Sequence, residues 1–252
     1  MKYLLKKLEA KFRYYVPKHL KSKNKYIKAI KGLKGIEIGG PSFTFSNKGL
    51  LPVYESIKNL DGCNFSTNTV WEGSLVAGET YHYCKNRKPG IQFIAEGNDL
   101  PQIPDNTYDF VLSCHNLEHF ANPLKALQEW KRITKPDGYL ILVLPDKHKT
   151  FDHKRTTTKI THLIEDLKNN TTEDDTTHFP EVIANHDIEM DAGVASVEDL
   201  KKRTIDNINN RCVHHHVFDK QLVIEILELM NYEVSSIDLL QINIFSLGKN
   251  IK

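Results

Sequence analysis

An open, mostly parallel α/β sheet is the fold class that the 252 residues predict. Three observations carry that prediction. Short apolar segments recur along the chain and end abruptly in glycine or polar residues, as buried parallel strands do. A capped amphipathic helix stands between two of them, the alternation expected of βαβ units. Two extended segments then close the chain with almost nothing between them, so they pair as an antiparallel hairpin.

Taken in order, Met1, Leu5, Leu8, Phe12 and Tyr15 recur at helical spacing with lysines between them, and Pro17 closes the run. They predict a basic amphipathic helix at the N-terminus. Gly35 to Ile38 forms a first strand that runs into Gly39-Gly40-Pro41-Ser42. A second strand, Ile57 to Leu60, ends on Asp61, and a third, Ile91 to Ala95, ends on Glu96-Gly97-Asn98-Asp99. Tyr108 to Cys114 is a near-continuous apolar fourth strand. Asn122-Pro123 then pairs a cap residue with proline at the first helical position. Leu124, Leu127, Trp130 and Ile133 make the apolar face of that helix, and Lys135-Pro136-Asp137-Gly138 stops it. Tyr139 to Leu144 is the fifth strand.

Residues 146–213 break this rhythm: they are polar, with helices expected near Thr157 to Lys168 and Val197 to Ile208. A helix follows over Asp219 to Met230, with Leu222, Ile226, Leu229 and Met230 as its packed positions. The strands Tyr232 to Leu239 and Gln241 to Leu247 form the closing hairpin. The organisation is therefore a basic helical arm over residues 1–32 and one domain over residues 33–252. Residues 146–213 form an insertion placed as a lid over an acceptor.

Charge sharpens this division. Lys and Arg number 34 against 32 Asp and Glu, a formal net charge of +2, and hydrophobic residues make up 40%, ordinary values for a globular chain. Residues 1–34 hold 12 of the basic residues and a single acid, Glu9, a net of +11. The remainder has 22 basic and 31 acidic residues, a net of −9. A docking element, a membrane-surface contact and an acidic-partner contact all fit the arm. The acidic body repels phosphate backbones, so nucleic acid is disfavoured as a partner. Cys63, Cys84, Cys114 and Cys212 are widely spaced, with no C-x-x-C pair, which suggests neither a zinc knuckle nor a disulfide framework. No apolar run approaches the roughly 18 residues of a membrane span, and Lys6 and Lys7 interrupt anything resembling a signal-peptide core. A cytoplasmic protein is expected, with the inner membrane face open to the arm.

In such a sheet, ligands bind beyond the carboxyl ends of the strands. Four successive strands end in polar or glycine-rich residues: Glu37-x-Gly39-Gly40, Asp61, Glu96-Gly97-Asn98 and Cys114-His115-Asn116. Glycine permits close backbone approach to a ligand, and a carboxylate about twenty residues later suits a ribose diol. The third glycine of a dinucleotide fingerprint is replaced by Pro41-Ser42-Phe43, and there is no Gly-Lys-Ser/Thr. Carboxylates stand where a pyrophosphate would want donors. A ligand bearing a ribose and a positive charge fits best, and S-adenosylmethionine (SAM) answers that description.

The combination Gly35-Ile36-Glu37-Ile38-Gly39-Gly40, Tyr108-Asp109-Phe110-Val111-Leu112-Ser113-Cys114-His115-Asn116-Leu117-Glu118-His119 and Lys135-Pro136-Asp137-Gly138-Tyr139-Leu140 resembles class I SAM-dependent methyltransferases. It is most similar to the type 11 group, and within it to members found among capsule and surface-polysaccharide genes. The resemblance implies a Rossmann-like fold with SAM as cofactor. It also implies that Glu37, Gly39, Gly40, Pro41 and Ser42 lie along the methionine part, that Asp61 takes the ribose hydroxyls, that Glu96, Gly97 and Asn98 meet the adenine, and that His115 packs near the sulfonium. Gly-Gly-Pro-Ser replaces the family's usual Gly-x-Gly turn. Glu118-His119 can equally cap the following helix.

Methyl transfer to a hydroxyl needs alignment and a base, for which histidine is suited. Most of the 12 histidines follow residue 147. Phe151-Asp152-His153-Lys154-Arg155 comes soon after the fifth strand, His178, His186 and Asp187 follow, and Val213-His214-His215-His216-Val217-Phe218 comes last. If that last stretch is extended, His214 and His216 share one face. Asp152, His153, His214 and His216 are the acceptor-site candidates, with Asp152 orienting a histidine base. Lys154 and Arg155 are placed to hold a phosphate or uronate. Paired histidines with an acid can also bind a divalent metal, and no metal is assigned. The expected activity is O-methylation of a small polar acceptor such as a sugar, sugar nucleotide or other surface-polysaccharide building block. A non-catalytic scaffold on the same fold is the alternative.

Overall fold

A computed structural model describes residues 19–251. Its centre is an eight-stranded sheet in the order β5-β6-β2-β1-β7-β8-β10-β9. The strands are β1 (Lys34–Ile38), β2 (Asn59–Asn64), β5 (Gly78–Tyr81), β6 (Gly90–Ile94), β7 (Tyr108–Cys114), β8 (Thr134–Pro145), β9 (Tyr232–Leu240) and β10 (Asn243–Asn250). A two-residue hairpin, β3 (Asn68–Thr69) with β4 (Gly73–Ser74), lies apart from the sheet. The five strands from β6 to β8 run parallel, and β10 pairs antiparallel with both β8 and β9. The sheet is thus as predicted, mostly parallel with a closing antiparallel hairpin. The strand order reverses between β1 and β7, which places a crevice beyond their carboxyl ends.

Both faces of the sheet are covered, and alternation within single strands assigns the side chains. Val111, Leu140, Leu142 and Leu144 pack on one face with Leu124, Leu127, Trp130 and Ile133 of α2 (Pro123–Ile133), Leu163 of α3 (Ile160–Asn169) and four residues of α7 (Lys220–Leu229). Phe110, Leu112, Ile141 and Val143 point the other way, against Phe45, Leu51, Val53, Tyr54 and helix α1 (Lys23–Ile30). Burying a side chain of this size contributes about 1.5–3 kcal/mol. In α2, the Asn122 side chain accepts a hydrogen bond from the Lys125 N–H at 3.1 Å, with Pro123 at the first position, as the sequence predicts. Asp219 caps α7 in the same way through the Leu222 N–H at 2.9 Å.

Several expectations change. No α-helix occurs between β1 and β7 among the described residues; a loop containing a single 3₁₀ turn, Phe43–Phe45, covers that half of one face. Its aromatic residues lack helical spacing yet still bury their surface. β5 is an antiparallel edge strand that the sequence does not announce. The second strand begins two residues later than expected, so Asp61 lies inside it rather than at its end. Leu229 is exposed, and Val223 and Leu227 take the packed positions of α7. The insertion holds α3, α4 (Phe179–Asn185), α5 (Val197–Ile205) and α6 (Asn207–Asn210); α4 is unanticipated. The helix expected over the first fifteen residues lies outside the described residues. The following segment packs on the body: Tyr26 and Ile30 are buried, and the Tyr26 hydroxyl donates to Asp238 Oδ2 at 2.9 Å. Among the described residues no helix is long and apolar enough to cross a membrane.

Candidate active site

A cleft of about 1870 Å³ opens at the carboxyl ends of β1, β2, β6 and β7, with the insertion forming its far wall. Gly39 lines it at φ +81°, and a Cβ there would come within 2.6 Å of Asn116. Glycine is thus required both by the backbone conformation and by the close approach. Ser42, Asn64, Glu96, Gly97 and His115 line the same side. His115 stands at φ +49° after β7, and its Nε2 meets Asn243 Oδ1 at 2.6 Å. Glu96 Oε1 accepts from Arg211 at 2.7 Å, and the same guanidinium pairs with Glu173 Oε2 at 2.9 Å, bridging sheet and insertion. Burial raises the Glu173 carboxyl to about 7, with Arg211 opposing the rise and Glu96 adding to it.

The remaining predicted cofactor residues stand behind the wall. Glu37 is fully buried: its Oε2 accepts from the Tyr54 and Tyr81 hydroxyls at 2.6 and 2.7 Å, and its Oε1 from the Ser42 N–H at 3.0 Å. A Cβ on Gly40 would come within 2.3 Å of that carboxyl group. Glu37 therefore braces the Gly39-Ser42 turn from beneath, and neither Gly40 nor Pro41 reaches the cleft lining. Asp61 is also absent from the lining, because its carboxylate is committed to the Tyr108 hydroxyl at 2.9 Å, the Ile91 N–H at 2.8 Å and Lys34 Nζ at 3.2 Å. Asn64, at the true end of β2, takes the position facing the cleft. Asn98 lies outside the lining, with its side chain toward Glu173.

On the acceptor side, the four candidates divide. His214 lines the cleft, and its Nδ1 meets Asp152 Oδ2 at 2.5 Å. Arg155 Nη1 donates to Asp152 Oδ1 at 2.9 Å and to the His214 carbonyl at 2.8 Å. Burial opposes the charge on both partners of the dyad, but their mutual attraction outweighs it. The Asp152 carboxyl is held at about 2, and the imidazole of His214 is raised above its ordinary value. Arg155 is thus buried scaffolding, not a surface anion site. His153 leaves the cleft for the surface, where it pairs with Asp187 at 2.8 Å; Lys154 joins the same carboxylate at 3.4 Å. His186 is held by Asp191 at 3.0 Å.

His216 also leaves the cleft. The 213–218 segment bends at His215 and His216 instead of running extended, so period-two alternation does not apply. His216 is buried with its Nε2 3.2 Å from the Ala121 carbonyl, beside His162 and His178. Glu118 and His119, which the sequence offers as part of the motif and as a helix cap and not as site residues, stand in the 3₁₀ turn Leu117–His119. Both line the cleft, and the His119 ring stands 4.7 Å from that of His214. Glu118 is fully buried, neither carboxylate oxygen has a hydrogen-bond partner, and burial raises its pKa. Glu118, His119 and His214 also lie close enough together to share a metal ion. The signals in the sequence are their place in the motif that follows the fourth strand and the run of polar residues there.

The comparisons with known proteins agree with this geometry. Residues 71–142 match the methyltransferase domain family. A demethylmenaquinone methyltransferase of Renibacterium salmoninarum is 40% identical over 72 residues, 29% of this chain and 30% of that protein. A demethylmenaquinone methyltransferase of Paenarthrobacter aurescens is 41% identical over 59 residues, 23% of each. The chain therefore matches less than a third of the length of these curated relatives. An S-adenosylmethionine-dependent methyltransferase from Mesorhizobium loti superposes with a TM-score of 0.51 at 9% identity, covering 90% of this chain and 95% of that one. The chain thus joins a methyltransferase-domain match over residues 71–142 to the Rossmann-like α/β fold of SAM-dependent methyltransferases.

Proposed function

We propose that the protein is a SAM-dependent methyltransferase that methylates a hydroxyl or phosphoryl-type oxygen of a small polar acceptor. The residues present fit the cofactor. Gly39 and Gly97 let backbone approach closely, and the Glu96 and Glu173 carboxyl groups stand at the cleft with Arg211 between them. The unpartnered oxygens of Glu118 and the unpartnered Nδ2 of Asn116 await a polar ligand. When bound, SAM supplies the methyl group as a sulfonium. Gly39, Ser42, Asn64, Glu96, Gly97 and His115 would hold it, and the cleft exceeds the roughly 300–1,000 Å³ usual for a single ligand, leaving room for an acceptor.

The single observation that carries the transfer chemistry is the Asp152–His214 dyad on the cleft wall. Asp152 holds Nδ1, so Nε2 is the nitrogen that accepts the acceptor's proton. Arg155 keeps Asp152 ionised, and Asp152 stabilises the imidazolium that forms. Phe151, 4.8 Å from the His214 ring, supplies apolar cover that excludes water. A sugar-type acceptor from surface-polysaccharide synthesis suits the polar lining of the insertion and rests on the resemblance in the sequence. Titration calorimetry with SAM and S-adenosylhomocysteine, followed by methyl transfer across a panel of nucleotide sugars and sugar phosphates, tests the reading. Binding of neither compound below millimolar concentration overturns it.

A further inference from the structure

Away from the cleft, three histidines converge from separate parts of the chain. His162 sits in the first turn of α3, His178 stands at the N-cap position of α4 without a side-chain capping bond, and His216 lies in the bent segment that also carries His214. Each offers one ring nitrogen within 4.8 Å of the other two. His162 Nε2 and His178 Nε2 are 3.1 Å apart. One turn along α3, Asp166 brings Oδ2 to 3.6 Å from Nε2 of both His162 and His216.

We infer that His162, His178 and His216 form a zinc site, with Asp166 as the carboxylate beside it. Zinc–nitrogen bonds of roughly 2.0–2.1 Å give a tetrahedron whose edges are about 3.3–3.4 Å, and the separations of 3.1 and 3.6 Å fall on either side of that value. A hydrogen bond between His162 and His178 would account for that pair alone. It would leave Asp166 Oδ2 and His216 Nδ1 buried without partners, at about 1–3 kcal/mol for each such group. The surroundings suit a metal. His216 Nε2 is taken up by the Ala121 carbonyl at 3.2 Å, with Asp166 Oδ2 at 3.6 Å, so Nδ1, buried without a partner, is the nitrogen His216 offers the metal, oriented as ligating histidines are. Asp166 Oδ1 takes the Thr171 hydroxyl at 3.2 Å, which turns Oδ2 toward the imidazoles. Access exists as well: a shallow cavity of about 370 Å³ reaches His162 and His178 from outside. An ion here would tie α3 and α4 to the segment bearing His214, so the insertion would be clamped to the cleft wall.

The test uses the full chain, stripped with a chelator and titrated with zinc chloride. One zinc per chain is expected, with at least a 100-fold weaker association in the His162→Gln, His178→Gln double variant, beyond the roughly 10–100-fold loss of an orienting contact. His214→Ala should still take up one zinc. No uptake by the unsubstituted chain overturns the inference, as does unchanged affinity in the double variant or loss of uptake in His214→Ala. Should the double variant not fold, cobalt(II) loading of the unsubstituted chain decides: a tetrahedral visible spectrum supports the site, and an octahedral one overturns it.

Discussion

His214 and His216 are two residues apart and have opposite surroundings. His214 faces the cleft, paired with an ionised carboxylate that raises its proton affinity. His216 is buried among other histidines, and that burial pushes its pKa well below the ordinary value. The bend at His215 and His216 separates a side chain suited to moving a proton from one suited to holding a cation. A run of identical residues therefore says little about role; the carboxylate each ring meets decides it.

The sharpest way to break the comparison is His214→Ala. Methyl transfer should fall by roughly 10²–10⁴-fold while SAM affinity holds, as expected for a general base. Single-turnover rates alongside calorimetry would check it, and unchanged turnover would remove the dyad from the chemistry. Next comes Arg155→Met. Arg155 also donates to the carbonyls of His214 and His215, so it serves both sides of the bend. Its loss leaves His214 as the only partner offsetting the buried Asp152 charge, and denaturant unfolding should show a loss of no more than about 3–5 kcal/mol.

Glu173→Gln probes the cleft wall opposite. The folded-state value of about 7 lies above the ordinary 4.5, so the folded chain keeps a proton that the unfolded chain releases. Stability contributed by this group is full below pH 4.5 and is lost as the pH rises toward 7. The Gln variant should flatten that part of the Tm–pH curve, by about 3 kcal/mol at neutral pH. The smallest change expected in ligand binding is for Asp61→Asn. It lies outside both histidine regions and should leave SAM affinity unchanged while costing about 1–3 kcal/mol of stability. A tenfold loss of SAM affinity would return Asp61 to the ribose.

The legibility of the two sides follows from the same contrast. Gly39, Glu96 and His115 were readable because a parallel strand buried on both faces is an unbroken apolar run, and its end marks the crevice. Asp61 was misplaced because a two-residue shift in a strand's start moves a carboxylate from the end to the interior. In the insertion, the sequence offers Asp152 several histidines without choosing among them; the structure sets His214 against it and turns His153 and His216 elsewhere. Glu118 reads in sequence as a helix cap, because a buried carboxylate without partners looks there like any polar turn residue.

Local pattern determined the mostly parallel sheet, the capped helix α2, the closing hairpin and the polarity of the insertion, because periodicity and capping act over a few residues. Only the tertiary structure decided that Glu37 braces its turn, that Asp152 reaches His214 across 62 positions, and that His162, His178 and His216 converge. Those contacts join segments far apart in the chain. Their partners are chosen by packing and burial, for which sequence spacing holds no record.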